Sequence, residues 1–195
     1  HCEVSVETSY NIAPGADISI IHQQDGRRVL DSRRWGLVPF WAKEGGRGMI
    51  NARSETVSEK PSFRHAFSKR RCLIPSSGFY EWEKTENGKQ PWFISGKHQP
   101  LVFAGIWEQW KSPEGFSVKT CAILTCEANE LMAPIQHRMP VILQEKERNI
   151  WLDPQPKLDL KSLLRPCSQE LLQAWPVSSR VNRPVFNEPD CLVPI

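Results

Sequence analysis

Four short segments, far apart along the chain, carry side chains suited to proton transfer or to attack on a carbonyl. The first holds Cys2. In a cysteine that begins a chain, the amine and the thiol sit on adjacent carbons. The pair can therefore condense with an aldehyde and close a five-membered thiazolidine ring, a reaction open to no internal residue. At neutral pH most of such an amine is protonated and little of the thiol is ionised, so a nearby base assists both steps. Without such partners, a cysteine near the terminus has no consequence.

The second segment, Ile50-Asn51-Ala52-Arg53-Ser54-Glu55-Thr56, puts an amide, a guanidinium and a carboxylate into one polar stretch. Asn51 can orient a substrate oxygen, and the forked donor of Arg53 suits a phosphate. The structural alternative is a turn leading into a helix, with Ser54 or Thr56 as the cap. The third, Gly78-Phe79-Tyr80-Glu81-Trp82, has the period of a strand, with Glu81 on the same face as Phe79. If that face is buried, desolvation raises the Glu81 pKa toward neutrality, where a carboxyl shuttles protons well; if it is exposed, Glu81 is an ordinary solvated residue. The fourth, Gln136-His137-Arg138-Met139-Pro140, offers His137 as acid, base or phosphate ligand, or as a plain loop histidine. His22, His65 and His98 lie in ordinary contexts and are assigned no chemistry.

These segments sit in or near an uneven field of charge. The net charge is only +3, but residues 27 to 71 hold twelve Lys/Arg against four Asp/Glu, a local excess of +8, while the rest of the chain carries −5. Arg27, Arg28, Arg33, Arg34, Arg47, Arg53, Arg64, Lys69, Arg70 and Arg71 are candidates for phosphate contacts, and a solvated basic surface is the alternative. Trp35-Gly36-Leu37-Val38-Pro39-Phe40-Trp41 adds aromatic faces beside those cations, the pairing that single-stranded nucleic acid needs. Trp35 is expected to pack in the core, and Trp41 to be free for stacking.

The elements that must hold these residues read as mostly β. Ile18–His22, Val29–Leu30, Cys72–Ile74, Phe79–Lys84, Trp92–Ser95, Leu101–Trp107 and Val118–Thr125 are short β-rich runs in an antiparallel pattern. Asp25-Gly26 and Asn87-Gly88 mark two hairpins, because both dipeptides tolerate positive φ. Helices are expected at Phe63–Ser68, Ala128–Ala133, Glu145–Trp151 and Lys157–Leu164. With 195 residues and sixteen scattered prolines, the expectation is one compact α+β domain over 1–195, mostly antiparallel β with flanking short helices, in the form of a distorted barrel. Six scattered cysteines are expected to be free, all but Cys2 buried, since Cys121 and Cys126 have no third ligand at zinc-site spacing. No run is apolar enough to span a bilayer and the first residues do not resemble a secretory signal, so the expected compartment is cytosolic or nuclear.

Taken together, Tyr10-Asn11-Ile12-Ala13-Pro14-Gly15, WGLVPFW at 35 to 41, NARSET at 51 to 56, RRCLIPSSGFYEW at 70 to 82 and HRMP at 137 to 140 resemble the SOS response-associated peptidase family, whose members process abasic sites. The motifs follow the family's order over nearly the whole chain, with looser similarity through PVSSRVN. The resemblance implies a β-rich pseudo-barrel that binds single-stranded DNA in a positive groove, without metal or cofactor. It implies Cys2 as nucleophile toward the opened abasic sugar, Asn51 holding the sugar, Glu81 shuttling protons, His137 assisting sugar opening, and Arg53 gripping phosphate. Trp41, Arg47, Arg70 and Arg71 complete the expected DNA-contact set. Lyase and self-processing peptidase activities are implied as well, a monomer is expected, and replication-fork proteins stand as candidate partners. The expected location is the nucleoid-associated cytoplasm in a bacterium and the nucleus in a eukaryote.

The departures lie at the start. The family begins Met-Cys-Gly-Arg with a longer stretch before its Tyr-Asn motif, whereas here Cys2 reaches Tyr10 within eight residues, so a stretch is expected to be omitted. A peptide bond from His1 removes the Cys2 amine and with it any thiazolidine. Two other functions compete with covalent capture: a general cysteine peptidase using Cys2, His137 and Asn51, and a passive single-strand binder using only cations and aromatics.

Overall fold

The structure is a computed structural model and describes residues 8–195, so Cys2 lies outside the described residues. Ten strands and two helices follow in the order β1 (Asp17–Gln24), β2 (Arg27–Trp35), β3 (Asn51–Arg53), α1 (Arg64–Lys69), β4 (Arg71–Ser76), β5 (Gly78–Thr85), β6 (Gly88–Gly96), β7 (Leu101–Lys111), β8 (Ser117–Glu127), β9 (Arg138–Pro140), α2 (Glu145–Leu152) and β10 (Leu172–Pro176). Short 3-10 turns fill much of the C-terminal stretch.

Five strands in the order β2-β1-β4-β7-β8 form a ring, closed where β2 pairs with β8 through Arg34↔Thr120 and Trp35↔Cys121. The ladder is antiparallel except at that closure and at β3, which also runs parallel to β8. Closure leaves the ring no free edge, which removes the usual route to strand-edge association. A second sheet, β10-β6-β5, packs beside it, with Phe79 of β5 edge-on to Phe103 of β7 at 5.8 Å. The pseudo-barrel expected from the sequence is the observed fold.

The β1–β2 hairpin turns at Asp25 and Gly26, at φ 49° and 75°, as expected for residues that tolerate the left-handed region. The second hairpin turns one residue early. Glu86 and Asn87 form the loop, and Gly88, at φ 124°, opens β6 opposite Thr85.

Two helix expectations fail for local reasons. Residues 128–133 form turns and no helix: the Asn129 side chain accepts the Met132 N–H at 3.0 Å, and Pro134 turns the preceding residue away from helical angles. Over 157–164 only Leu160–Leu163 coils, as a 3-10 turn capped by Asp159. The five cysteines outside the first seven residues are free and buried, as expected.

One core runs through the barrel and under α2. Ile20, Leu37, Ala52, Ile106, Leu124, Met139 and Trp151 are all essentially inaccessible to solvent. A smaller cluster of Phe93, Val177, Val181, Phe186 and Cys191 fastens the C-terminal turns to the second sheet.

Candidate active site

The three residues of β3 carry the polar stretch of the second segment. Ala52 is fully buried, so the period of two turns Asn51 and Arg53 outward, and both are exposed. What aims this strand is a crossing of two glycines. A Cβ on Gly36 would lie 2.4 Å from the Arg47 carbonyl oxygen, and one on Gly48 would lie 2.1 Å from that of Gly36. Both take positive φ, 142° and 70°. Only at that close approach does Leu37 bond back to Met49 and deliver Asn51 to β8.

β3 and β9 flank the same end of β8. Thr125 pairs with Arg53 on one side and with Pro140 on the other. Arg138 ties the strip together, holding both Glu55 oxygens at 2.7 and 3.0 Å and the Thr125 carbonyl at 2.6 Å. The paired guanidinium keeps the Glu55 carboxyl below its ordinary range. The sequence did not single out Glu55, Thr125 or Arg138, whose partners lie 13 to 83 residues away.

Glu81 sits mid-strand on β5, opposite Trp92 of β6, and is half-buried. The question left open by the sequence is answered by Phe79, which shares its face and packs against Phe103 of the barrel. Burial therefore pushes the Glu81 carboxyl up to about 7, partly offset by a hydrogen bond from the Gln136 side chain and one from the Trp82 backbone. In the fourth segment the residue that bears on the Glu81 ionisation is Gln136. His137, next along the chain, is exposed, and its ring makes no hydrogen bond among the described residues, while its backbone carbonyl accepts the Ala128 N–H. Gln136 was missed because its only signal was its place beside a histidine.

The opposite face of β5 fastens the chain's early residues. Tyr80 donates its hydroxyl to the Tyr10 carbonyl at 2.7 Å, and Trp82 donates Nε1 to Asn182. Asn187 accepts the N–H groups of Tyr10 and Asn11 at 2.6 and 2.9 Å, and the Asn11 amide donates to Val181, Arg183 and Phe186 carbonyls. Residues 9–11 are thus held behind the strand that bears Glu81, and Cys2 belongs to the undescribed stretch that leads into them.

The basic surface is smaller than the sequence count. Arg47 and Arg53 are exposed, and Trp41 is 54% exposed, next to Phe40, whose ring packs tilted against that of His65 at 4.9 Å. Trp35 is partly buried and donates Nε1 to the Ile50 carbonyl, as its packing role requires.

Arg70 pairs with the buried carboxylate of Glu108, which His65 also contacts at 3.0 Å. Arg71, expected among the phosphate contacts, is turned inward instead. Its guanidinium donates to the carbonyls of Trp151, Phe67, Ser68 and Asp153, joining the end of α1 to the end of α2. Arg33 is also buried, held by Asp31 at 2.6 Å over the Trp107 ring. Among the described residues no cluster of His, Cys, Asp and Glu has the makings of a metal site, and no helix is long and apolar enough to cross a membrane.

Comparison with known proteins adds a family. Residues 1–184 match the family described as SOS response associated peptidase (SRAP). The chain is 44% identical over 191 residues to the abasic site processing protein YoqW of Bacillus subtilis, covering 94% of this chain and 85% of that protein. It is 36% identical over 224 residues to the abasic site processing protein HMCES of Gallus gallus, covering 96% of this chain and 66% of that protein. Its fold matches the crystal structure of a protein from Bacteroides thetaiotaomicron with a TM-score of 0.84 at 33% identity, over 93% of this chain and 82% of that one.

Proposed function

Because the chain belongs to the SOS response-associated peptidase family and its relatives are named abasic site processing proteins, we propose that it captures abasic sites in single-stranded DNA covalently, through Cys2. The observation that carries the reading is Glu81: a half-buried carboxyl with a pKa of about 7, on the strand behind which the chain's early residues are fastened.

The chemistry balances with the groups at hand. In its ring-opened form an abasic deoxyribose presents an aldehyde at C1′. The Cys2 amine, freed of its extra proton, adds through its lone pair to that carbon and gives a carbinolamine. Glu81 takes up the amine's proton and returns one to the hydroxyl, which leaves as water, and an imine remains. The Cys2 sulfur then adds to the imine carbon and the nitrogen regains a proton. The net change is aldehyde plus aminothiol to thiazolidine plus water. A carboxyl with a pKa near 7 serves both directions of transfer near neutral pH.

In this scheme Asn51 holds the sugar, His137 moves the proton that opens it, Arg53 and Arg47 bind phosphate, and Trp41 stacks a base. Arg70 is paired with Glu108, and Arg71 commits four of its five N–H donors to backbone carbonyls inside the fold, so neither is assigned a phosphate. The same imine weakens the C2′–H bond and opens a route to elimination of the 3′ phosphate, so strand cleavage is the expected side reaction. With His1 joined to it, the Cys2 nitrogen is an amide and cannot attack, so the reactive species is the chain that begins at Cys2.

The test uses that chain, checked by mass, with single-stranded DNA carrying one abasic site. On a denaturing gel the wild type is expected to give a band that survives denaturation. Cys2→Ala keeps the amine but lacks the sulfur, and is expected to give no stable band and more cleaved strand. A stable band with Cys2→Ala, or none with the wild type while DNA binding persists, overturns the proposal.

A further inference from the structure

The turns that follow β10 enclose a cleft of about 580 Å³, whose walls include Ser179, Arg180, Asn182, Arg183, Phe186 and Glu188. Two contacts tie this cleft to the proposed site. Trp82, next to Glu81 on β5, donates its Nε1 to the Asn182 side-chain oxygen at 2.7 Å. The Asn11 amide donates to the carbonyls of Val181, Arg183 and Phe186 at 2.9 to 3.2 Å. The cleft therefore opens beside the strand that bears Glu81, and its walls hold the residues that follow the Cys2 stretch.

Its polar groups are mostly donors. An indole N–H can only donate, so Asn182 gives Trp82 its oxygen and keeps its amino end for another acceptor. The Arg180 guanidinium lies 3.8 Å from the centre of the buried Phe186 ring. A guanidinium stacked by one face is held in orientation while its in-plane N–H groups stay free to pair with a second partner. Arg183 adds a second exposed guanidinium. The backbone between the two is fixed without a ligand: Ser178 caps the turn at Arg180, the Arg183 N–H donates to the Arg180 carbonyl at 3.1 Å, and that of Phe186 to the Arg183 carbonyl at 2.9 Å. Glu188 sets one carboxylate against these two cations. Forked donors beside an amide suit an anion with several oxygens, which in a DNA strand is the phosphodiester.

We propose that this cleft is a second phosphate subsite, in which Arg180 and Arg183 hold one backbone phosphate of the strand to one side of the abasic sugar and the Asn182 amide donates beside them. The inference rests on the reading that the chain captures abasic sites in single-stranded DNA. It adds a grip remote in sequence from the basic stretch at 27 to 71, in the part of the chain whose net charge is negative. Arg53 belongs to the barrel sheet, whereas Arg180 and Arg183 lie in the turns that follow the second sheet, so the strand is anchored to both sheets and not to the barrel alone. Phosphate contacts of this kind fix register and carry no sequence preference, as capture of a site without a base requires.

The experiment measures affinity against salt for the full chain beginning at Cys2, using single-stranded DNA with one central tetrahydrofuran residue, an abasic analogue that lacks the aldehyde and cannot crosslink. With Arg180→Gln and Arg183→Gln combined, the slope of log affinity against log salt is expected to fall by about 0.7, the share of one phosphate. Strands trimmed from the 5′ or the 3′ side locate that phosphate. Trimming one side is expected to weaken the wild type and to leave the double variant unchanged, since it has already lost that contact; trimming the other side weakens both alike. Lysine at both positions, which keeps the charge and loses the stack, is expected to restore the slope. An unchanged slope in the glutamine variant, equal losses on trimming either side, or no recovery with lysine overturns the inference, the last because the arginines then serve only to hold the turn. Crosslinking of an aldehyde-bearing strand is read in parallel. A wild type that binds the analogue but never crosslinks sinks covalent capture and leaves the subsite standing, whereas crosslinking with an unchanged slope in the double variant does the reverse.

Discussion

At the scale of single residues, Glu81 shows what a functional group costs its own fold. Its folded pKa, about 7, lies above the usual carboxylate range, so the folded chain holds this proton more tightly than the unfolded chain does. Stability from this group is greatest at low pH and falls as pH rises from the ordinary carboxylate range toward 7, by up to about 3 kcal/mol at 1.36 kcal/mol per pKa unit. Glu81→Gln is therefore expected to melt higher than the wild type at pH 8 and close to it at pH 5, while crosslinking falls by roughly 10²-fold or more. Melting at the two pH values together with the rate checks both halves. The two arginines of the same basic stretch separate in another way. Arg53→Gln is expected to lower the slope of log affinity against log salt by about 0.7 and to leave the melting temperature alone. Arg71→Met, which strands four carbonyls at the junction of α1 and α2, is expected to destabilise by about 3 kcal/mol or more. A large loss of salt slope in Arg71→Met with unchanged melting would return that residue to the DNA surface.

At the scale of elements, β3 is too short to place itself. Three residues with one buried alanine carry little apolar surface, and the strand is delivered by the crossing of Gly36 over Gly48. Gly48→Ala meets both a backbone oxygen at 2.1 Å and a positive φ, so the loop must shift. A destabilisation of about 2 kcal/mol or more is expected, and crosslinking is expected to fall further than melting explains, because Asn51 and Arg53 leave their register on β8. Hydrogen exchange at Ala52 and Leu124 checks the register: retained protection in a stable, inactive variant would place the defect elsewhere. The helices show why pattern alone misjudges short elements. Glu145–Leu152 forms because Gln144 and Glu147 cap its start reciprocally, whereas residues 128–133 have comparable helix formers but an Asn129 turn at one end and a proline at the other.

At the scale of the whole molecule, residues 9–11 and the C-terminal turns meet behind β5. Asn187 accepts two backbone N–H groups from residues more than 170 positions earlier, and Asn11 returns three hydrogen bonds to the C-terminal turns. Asn187→Ala is expected to lose hydrogen-exchange protection at Tyr10 and Asn11 and to crosslink more slowly, with the Glu81 titration unmoved. If the rate is unchanged while that protection is lost, the C-terminal turns do not position the nucleophile. The closed barrel is the frame for all of this, because it fixes β8, and β8 in turn carries both β3 and the segment that ends in β9.

The sequence by itself determined the mostly β character, the hairpin at Asp25-Gly26, the burial of the cysteines other than Cys2 and the order of motifs that marks the family. Those signals are local: turn residues with positive φ, alternation along a strand, and side-chain types in fixed sequence. Tertiary structure decided what covers the Phe79–Glu81 face of β5, and with it the ionisation of Glu81, since the period of two names a face but not its neighbours. It decided that Gln136 and not its histidine neighbour bears on the ionisation of that carboxylate, that Arg71 faces inward while Arg53 faces out, and that the barrel closes through a parallel pair. Each of these depends on contacts between segments tens of residues apart, where the energy lies in desolvation and pairing and leaves no trace in composition or spacing.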